Sequence, residues 1–433
     1  MPMRRLSFGL SRQLWVIEAG VFLNMLGYGA VFPFEIIYLH EARGFSLGVA
    51  GLVVGLVSGV AIFVAPVAGA VIDRVGARTT AVGAGLALAG GYGSLAFTTT
   101  APTAFAAAAL AGVGNGGLNP SQSALMAALA PRELRQRASA VSRVAVNVGI
   151  GLGAAIGGVV ASFGLNGFIL LFLANAVTYL FYLAILVTAV RDEVRPEPIA
   201  GGYRQVIRDR ALLRFALINV AMIAVGWGVL AWIVPPYARE IGIGPSLIGL
   251  LLLANAAAVV LAQLPIVKAA EGRSRVGALS LGASTWVVAC LLAVLAQAVS
   301  PELAFACLVA AAVAFAVGEC LHATAFMPLI ADLAPLALRG RYMATAGLSW
   351  WLGLALAPTL GGQLLAVSPS LALIGGAALA GLAIILLRAF EPALPVNVRS
   401  IPRPDARSIA SGQDRIGGKP QHGTTLPAID PLP

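Results

Sequence analysis

Three ionisable side chains stand deep inside long apolar runs, where their presence demands a chemical reason. Glu35 follows Pro33 in the stretch GYGAVFPFEIIYLHE, residues 27–41. Asn24, Tyr28 and Glu35 occur at i, i+4 and i+11, which puts them within about 40° of one another on a helical wheel. This spacing predicts a polar stripe beside a proline kink. An ionisable residue at membrane depth is costly and marks a functional site by default. Glu35 is therefore a candidate proton or cation site on a cavity wall; the alternative is a side chain that snorkels to the nearer interface. Glu319 and His322 lie one turn apart in a later apolar run. A carboxylate beside an imidazole can exchange a proton, and the same two residues can equally serve as structural hydrogen-bonding ties between neighbouring helices.

Neutral polar residues fill out the picture. Asn115, Asn119 and Gln122 recur at i, i+4 and i+7, a helical face able to line a cavity. Arg143 precedes Asn147 by one turn, and either lines the same cavity or snorkels to the near end of its helix. Trp227 and Trp232, with Trp350 and Trp351, offer flat surfaces to an amphipathic substrate or anchor their helices at the interface. Glu18 points away from the Asn24 face near a helix end and reads as an interface residue; Asp332 reads as solvated.

The elements that position these residues follow from composition. The 433 residues are 59% hydrophobic and 11% charged, with a mean hydropathy of +0.91. Soluble domains carry about 25% charged residues. Apolar stretches of about twenty residues, each long enough to cross a hydrocarbon core, recur along most of the chain. The alternating pattern of a membrane barrel is missing. The reading is an all-α polytopic membrane protein with twelve spans. A basic N-terminus covers 1–13, six spans fill 14–190, a polar connection covers 191–212, and six more spans fill 213–390. Residues 391–433 are rich in proline, serine and charge and read as a disordered tail.

Basic residues fix the expected orientation. One set of short loops carries Arg74, Arg78, Arg132, Arg135, Arg137, the cluster from Arg191 to Arg214, Lys268, Arg273, Arg275, Arg339 and Arg341. The other set carries Arg43 and Arg239. Basic short loops face the cytoplasm, so both termini are expected inside a plasma-membrane protein. The net charge of +10, spread in this way, points to a lipid bilayer and not to nucleic acid. Cys290, Cys307 and Cys320 fall within apolar runs without metal-ligand spacing. No phosphate-binding Gly-x-x-x-x-Gly-Lys-Ser/Thr loop, zinc motif or nucleophile elbow occurs, so neither a cofactor, a metal nor an enzymatic reaction is expected.

Between the second and third spans stands GAVIDRVGAR, residues 69–78, a tight polar knot with Gly69, Asp73, Arg74, Gly76 and Arg78. The segments GIGLGAAIGG (149–158) and GLALAPTLGG (353–362) align without gaps at an offset of 353 − 149 = 204, as do LAPRELRQR (129–137) and LAPLALRGR (333–341). The two six-span halves thus read as relatives. The loop resembles the signature loop of the major facilitator superfamily. The two segments resemble that family's antiporter motif, Gly-x-x-x-Gly-Pro-x-x-Gly-Gly. The first copy keeps Gly149, Gly153, Gly157 and Gly158 but has Ala154 for proline. The second keeps Gly353, Pro358, Gly361 and Gly362 but has Ala357 for glycine. The family's arginine on the fourth span is absent from AAAALAGVGNGG (106–117).

The resemblance covers about residues 14–390 and is strongest to the twelve-span drug:proton antiporters. It implies two six-helix bundles around a midplane cavity, alternating access, and a monomer exchanging a small amphipathic substrate for protons. It also implies that Asp73 latches the cytoplasmic side through the start of the eleventh span, near Arg339 or Arg341. The alternatives are a uniporter or symporter of a polar metabolite, and a non-transporting membrane sensor or scaffold.

Overall fold

The computed structural model describes residues 10–129, 134–190, 206, 208–335 and 338–402. The first nine residues, most of the 191–212 connection and the tail from residue 403 lie outside the described residues. Twelve helical rods run through the described chain: α1 (Arg12–Ala42), α2 (Leu47–Val75), α3 (Ala77–Leu95), α4 (Ala101–Leu129), α5 (Arg135–Ala161), α6 (Leu165–Ala189), α7 (Arg210–Glu240), α8 (Pro245–Ala270), α9 (Arg275–Leu295), α10 (Pro301–Leu333), α11 (Arg339–Val367) and α12 (Pro369–Phe390). Ten of them are long and apolar enough to cross a membrane. The two that fall short, α3 and α4, are diluted by glycine, alanine, threonine and asparagine. The protein is a multi-pass membrane protein.

Helices α1–α6 pack chiefly on one another, as do α7–α12, and two crossings join the halves, α2 with α11 and α5 with α8. The start of α1 packs beside the end of α4 and the start of α5, through Leu10, Leu14, Ala138 and Met126. We call the face that carries both described chain ends the terminal face. On the opposite face the repeat is visible in hydrogen bonds. The Tyr38 hydroxyl donates to the carbonyls of Leu95 (2.8 Å) and Ala96 (3.0 Å) at the end of α3. The Tyr237 hydroxyl donates to the carbonyl of Ala293 (2.7 Å), at the corresponding place in α9. Each tyrosine adds a hydroxyl donor to carbonyls at the end of a neighbouring helix, using a second lone pair of the oxygen.

Two helices are broken where they border the cavity. Pro33 has no N–H to give and its ring crowds the carbonyl four residues back, so α1 narrows to a 3₁₀ turn over Phe32–Phe34 before resuming at Glu35. In α7 the stretch Ala224–Ile233 is a π-helix ahead of Pro235 and Pro236. An α-helix would set Trp227 and Trp232 about 140° apart. With bonds reaching five residues on, each turn holds more than four residues, and both indoles come round to one wall.

The tail begins later than expected. Residues 391–402 form a strap across the base of the second half, where disorder was expected from 391. Ser400 pairs antiparallel with Ser274. Backbone bonds run from Gly272 to Ile401 (2.8 Å), Arg275 to Arg399 (2.8 Å) and Ile401 to Arg273 (2.9 Å). Ser274 donates to Glu391 at 2.7 Å, and Leu394 and Val398 are buried. Compositional bias hid this because three apolar residues spaced among prolines suffice to seat a strap. Beneath it Arg275, fully buried, pairs with Asp332, so Asp332 is an ion-pair partner and not merely solvated. Truncation after Pro395 removes three backbone bonds worth about 1 kcal/mol each and the burial of Val398 and Ile401. The expected result is a melting temperature lower by several degrees in detergent; an unchanged melting curve would mean that the strap adds no stability.

Candidate functional site

The two halves enclose a cavity with an upper lobe of about 410 Å³ and a lower lobe of about 430 Å³. The lobes share Asn119, Asn147, Trp227, Glu319, Trp350 and Trp351. The lower lobe continues towards the terminal face past Arg143, Gln263 and Met327.

On the opposite face the halves are sealed by backbone contact. A Cβ on Gly51 of α2 would fall on the carbonyl oxygen of Pro358 in α11, and one on Gly362 would meet the Gly51 Cα at 3.0 Å. At the other crossing, a Cβ on Gly158 of α5 would meet the Gly249 Cα of α8 at 3.1 Å, and one on Gly249 would fall on the Ala154 carbonyl. Small residues permit such approach. A bidentate ion pair from Arg239 to Glu41, at 2.9 and 3.0 Å, spans the halves at the same level. Towards the terminal face this cover is lost: Gly59 of α2 and Gly347 of α11 have no neighbour within 4 Å of a built Cβ, and Arg143 is exposed on the wall of the lower lobe. The cavity is open to the terminal face.

Glu35 is buried in the upper lobe. Its carboxylate accepts a hydrogen bond from the Trp232 indole N–H at 3.2 Å, so a residue of the second half holds the acid of the first. The Tyr92 hydroxyl also faces it. Tyr28 stacks on Phe32 at 5.2 Å, and Phe32 meets Trp232 edge-on at 6.3 Å. Below, Trp227 lies tilted against Trp350 at 4.8 Å. The wall is thus aromatic, with acids at two heights.

Glu319 and His322 do not form the expected pair. Asn255 of α8 donates to Glu319 at 3.4 Å. His322 bonds instead to Asn219 of α7 at 2.7 Å, and the Asn219 amide donates to Ser349 of α11 at 2.8 Å. Because the amide nitrogen of Asn219 is the donor to Ser349, its oxygen accepts from His322, which fixes Nε2 as the protonated ring nitrogen. His322 is also boxed in by Phe326 and Trp227, at 4.9 and 5.1 Å. One turn of α10 thus reaches two different neighbours. Both residues line the lower lobe, and Glu319 lines the upper as well.

Of the cavity candidates, Tyr28, Asn115, Asn119, Arg143, Asn147 and Trp227 line it. Asn24 and Gln122 do not. Asn24 is fully buried inside the first half, facing Tyr179 of α6, and its short amide cannot reach round the helix as the Tyr28 ring does. Gln122 follows Pro120 and lies beside Tyr182. Glu18, expected at an interface, is buried in the same interior next to Ser142. Neither of its oxygens is hydrogen-bonded among the described residues.

The motif residues separate by task. Gly153 and Gly157 meet the backbone of α1 at Leu26 and Ala30, while Gly353 meets α7 at Val220. In the second copy Ala357 occupies the place of a glycine, and the partner helix compensates, since a Cβ on Gly228 would fall on the Ala357 methyl. In the loop after α2, Gly76 adopts φ +92°, a conformation that favours glycine. Arg78 donates to the Val187 carbonyl at the end of α6. Asp73 is exposed and makes no ion pair among the described residues. Of the expected latch partners at the start of α11, the Arg339 side chain lies outside the described residues.

Sequence reading missed Trp232 as the partner of Glu35, together with Asn255, Asn219 and the α2 glycines. The spacing of Gly48, Gly51 and Gly55 was a readable signal for close packing, and single asparagines in apolar runs mark Asn219 and Asn255.

The family model of the Major Facilitator Superfamily matches residues 18–225 and 216–420. The MFS-type transporter YttB of Bacillus subtilis is 31% identical over 59% of this chain and 64% of its own length. The multidrug resistance protein MdtH of Aeromonas hydrophila is 27% identical over 47% of this chain and 51% of its own length. The matched stretches thus span less than two thirds of these relatives. MdtH of Edwardsiella ictaluri is 26% identical over 78% of this chain and 83% of its own. Among solved structures, a peptide transporter of the POT type bound to sulfate superposes with a TM-score of 0.72 at 16% identity, over 90% of this chain and 96% of that one. The nucleoside transporter NupG (D323A mutant) gives 0.68 at 12% identity, over 89% and 100%. At these identities the likeness establishes the fold. The family model covers both halves, and the chain belongs to the major facilitator superfamily, whose members here are secondary transporters and not enzymes.

Proposed function

We infer that the protein exports a small amphipathic compound in exchange for protons, by alternating access through twelve spans of the plasma membrane, with both termini cytoplasmic. The observation that carries this reading is Glu35, a buried carboxylate on the cavity wall whose hydrogen bond comes from the opposite half. A bond of this kind lets protonation and domain movement act on each other, since a charged acceptor roughly doubles the strength of a neutral one. The cavity walls support an amphipathic substrate, because aromatic faces alternate with few charges. The MdtH relatives are named for multidrug resistance, in keeping with export. Basic loops on the terminal face support the cytoplasmic assignment.

The test uses everted vesicles energised to be acidic within. Tetraphenylphosphonium, ethidium and neutral antibiotics are added while internal pH is followed. At least one compound is expected to dissipate the gradient, and Glu35→Gln is expected to abolish that response. A compound that equilibrates through the protein without moving protons would establish facilitated diffusion instead.

A further inference from the structure

The lower lobe places an unbalanced charge where the carrier must close. From the first half it is lined by Asn119, Arg143 and Asn147; from the second by α7, α8, α10 and α11. Arg143 stands about 12 Å into α5, taking 1.5 Å per residue, and its side chain is exposed to the open cavity. Across the space lies α10, whose Glu319, His322 and Met327 line the facing wall of the same lobe.

Closing the terminal face expels water from this lobe and brings the two walls together. An arginine does not lose its proton in a protein. A lone buried charge is strongly unfavourable, whereas a paired one is tolerated. Among the described residues lining the lobe, Glu319 is the one carboxylate available. His322, the other ionisable group, is committed to Asn219 and enclosed by aromatic rings. Asn255 of α8 and the Trp227 and Trp350 rings, which also face Glu319, carry no charge.

We propose that Arg143 and Glu319 form the ion pair that closes the terminal face, the counterpart of the Glu41–Arg239 pair that closes the opposite face here. Arg143 is then a positioning residue for coupling. With Glu319 ionised, closure joins opposite charges. With Glu319 protonated, closure would bury Arg143 without a counter-charge, so the protonated carrier stays open to the terminal face. The direction suits proton entry driving the return step of an exporter, and to that extent the inference rests on the proton-coupled reading above.

The experiment measures distances between spin labels at Thr79→Cys and Ala269→Cys, with Cys290, Cys307 and Cys320 changed to alanine, in lipid at pH 5 and pH 9. At pH 9 the otherwise unaltered protein is expected to show a short-distance, closed population. Arg143→Gln and Glu319→Gln should each reduce that population at least tenfold; at pH 5 Glu319→Gln should match the unaltered protein, whereas Arg143→Gln, with no charge to strand, should close more readily than it. Arg143→Lys should close normally, and the exchanged double variant Arg143→Glu with Glu319→Arg should recover closure. Arg143 faces open space, so its own substitutions leave the packed interior intact. Normal closure in Arg143→Gln, or failure of the lysine or exchanged variants, overturns the pairing. A closed population in the unaltered protein, with pairing refuted, leaves the transport reading standing; absence of closure at both pH values counts against alternating access itself.

Discussion

Gly51→Leu is expected to reduce uphill transport about a hundredfold or more while leaving both halves folded. The added Cβ falls on the Pro358 carbonyl oxygen, and a backbone atom cannot rotate aside as a side chain can. The α2–α11 crossing must therefore widen, opening the face that is sealed here. Contacts within each half are untouched, so the melting temperature should fall by only a few degrees. Gly83→Leu, on the exposed face of α3 where nothing lies within 4 Å, serves as the control and should transport normally. The opening itself is read with Ser58→Cys, which lines the cavity: an impermeant maleimide applied from the opposite face should label it in Gly51→Leu and not in the control. Normal transport and protection in Gly51→Leu would show that this crossing accommodates the added side chain without widening.

Trp232→Phe should uncouple the carrier without emptying the cavity of aromatic surface. The substitution keeps a ring beside Phe32 but removes the N–H that Glu35 accepts. A hydrogen bond to a charged group contributes about 1.5–3 kcal/mol, which corresponds to roughly a tenfold to hundredfold shift between conformations. The sign with pH follows from the acceptor. The bond is strongest with Glu35 ionised, so the variant should differ most from wild type at high pH and converge on it as Glu35 takes up a proton. Downhill flux of tetraphenylphosphonium in proteoliposomes, measured without a proton gradient across a range of pH, should rise in the variant at the alkaline end. A flux profile that matches wild type throughout would remove Trp232 from the coupling mechanism.

Much of the fold was legible because membrane physics leaves few choices. Apolar length gave the spans, glycine repeats gave the relationship of the halves, and Pro33 beside Glu35 marked the broken helix. What stayed hidden were relations between helices. A wheel assigns Asn24 to a face but cannot say that α6 covers that face, nor that Tyr28 reaches past its edge. Glu18 sits six residues into α1, about 9 Å at 1.5 Å per residue, and depth alone placed it at an interface. Its burial is set by α5 and α6 instead. Glu35 and Trp232 are 197 residues apart, and only the juxtaposition of two halves makes them partners. The pairing of Glu319 with His322 failed for a related reason: adjacency on one helix turn gave no hint that Asn255 and Asn219 stood closer.

The alanine at position 357 bears on which substitutions this crossing can accept. The distance between two crossing backbones depends on the sum of what both helices place between them. Here α11 carries a methyl group and α7 carries none, because a Cβ on Gly228 would fall on the Ala357 methyl. A pattern scored along a single helix counts Ala357 as a departure, although the pair of positions 228 and 357 still permits the close approach. The two positions act as one unit, so alanine at 228 requires glycine at 357.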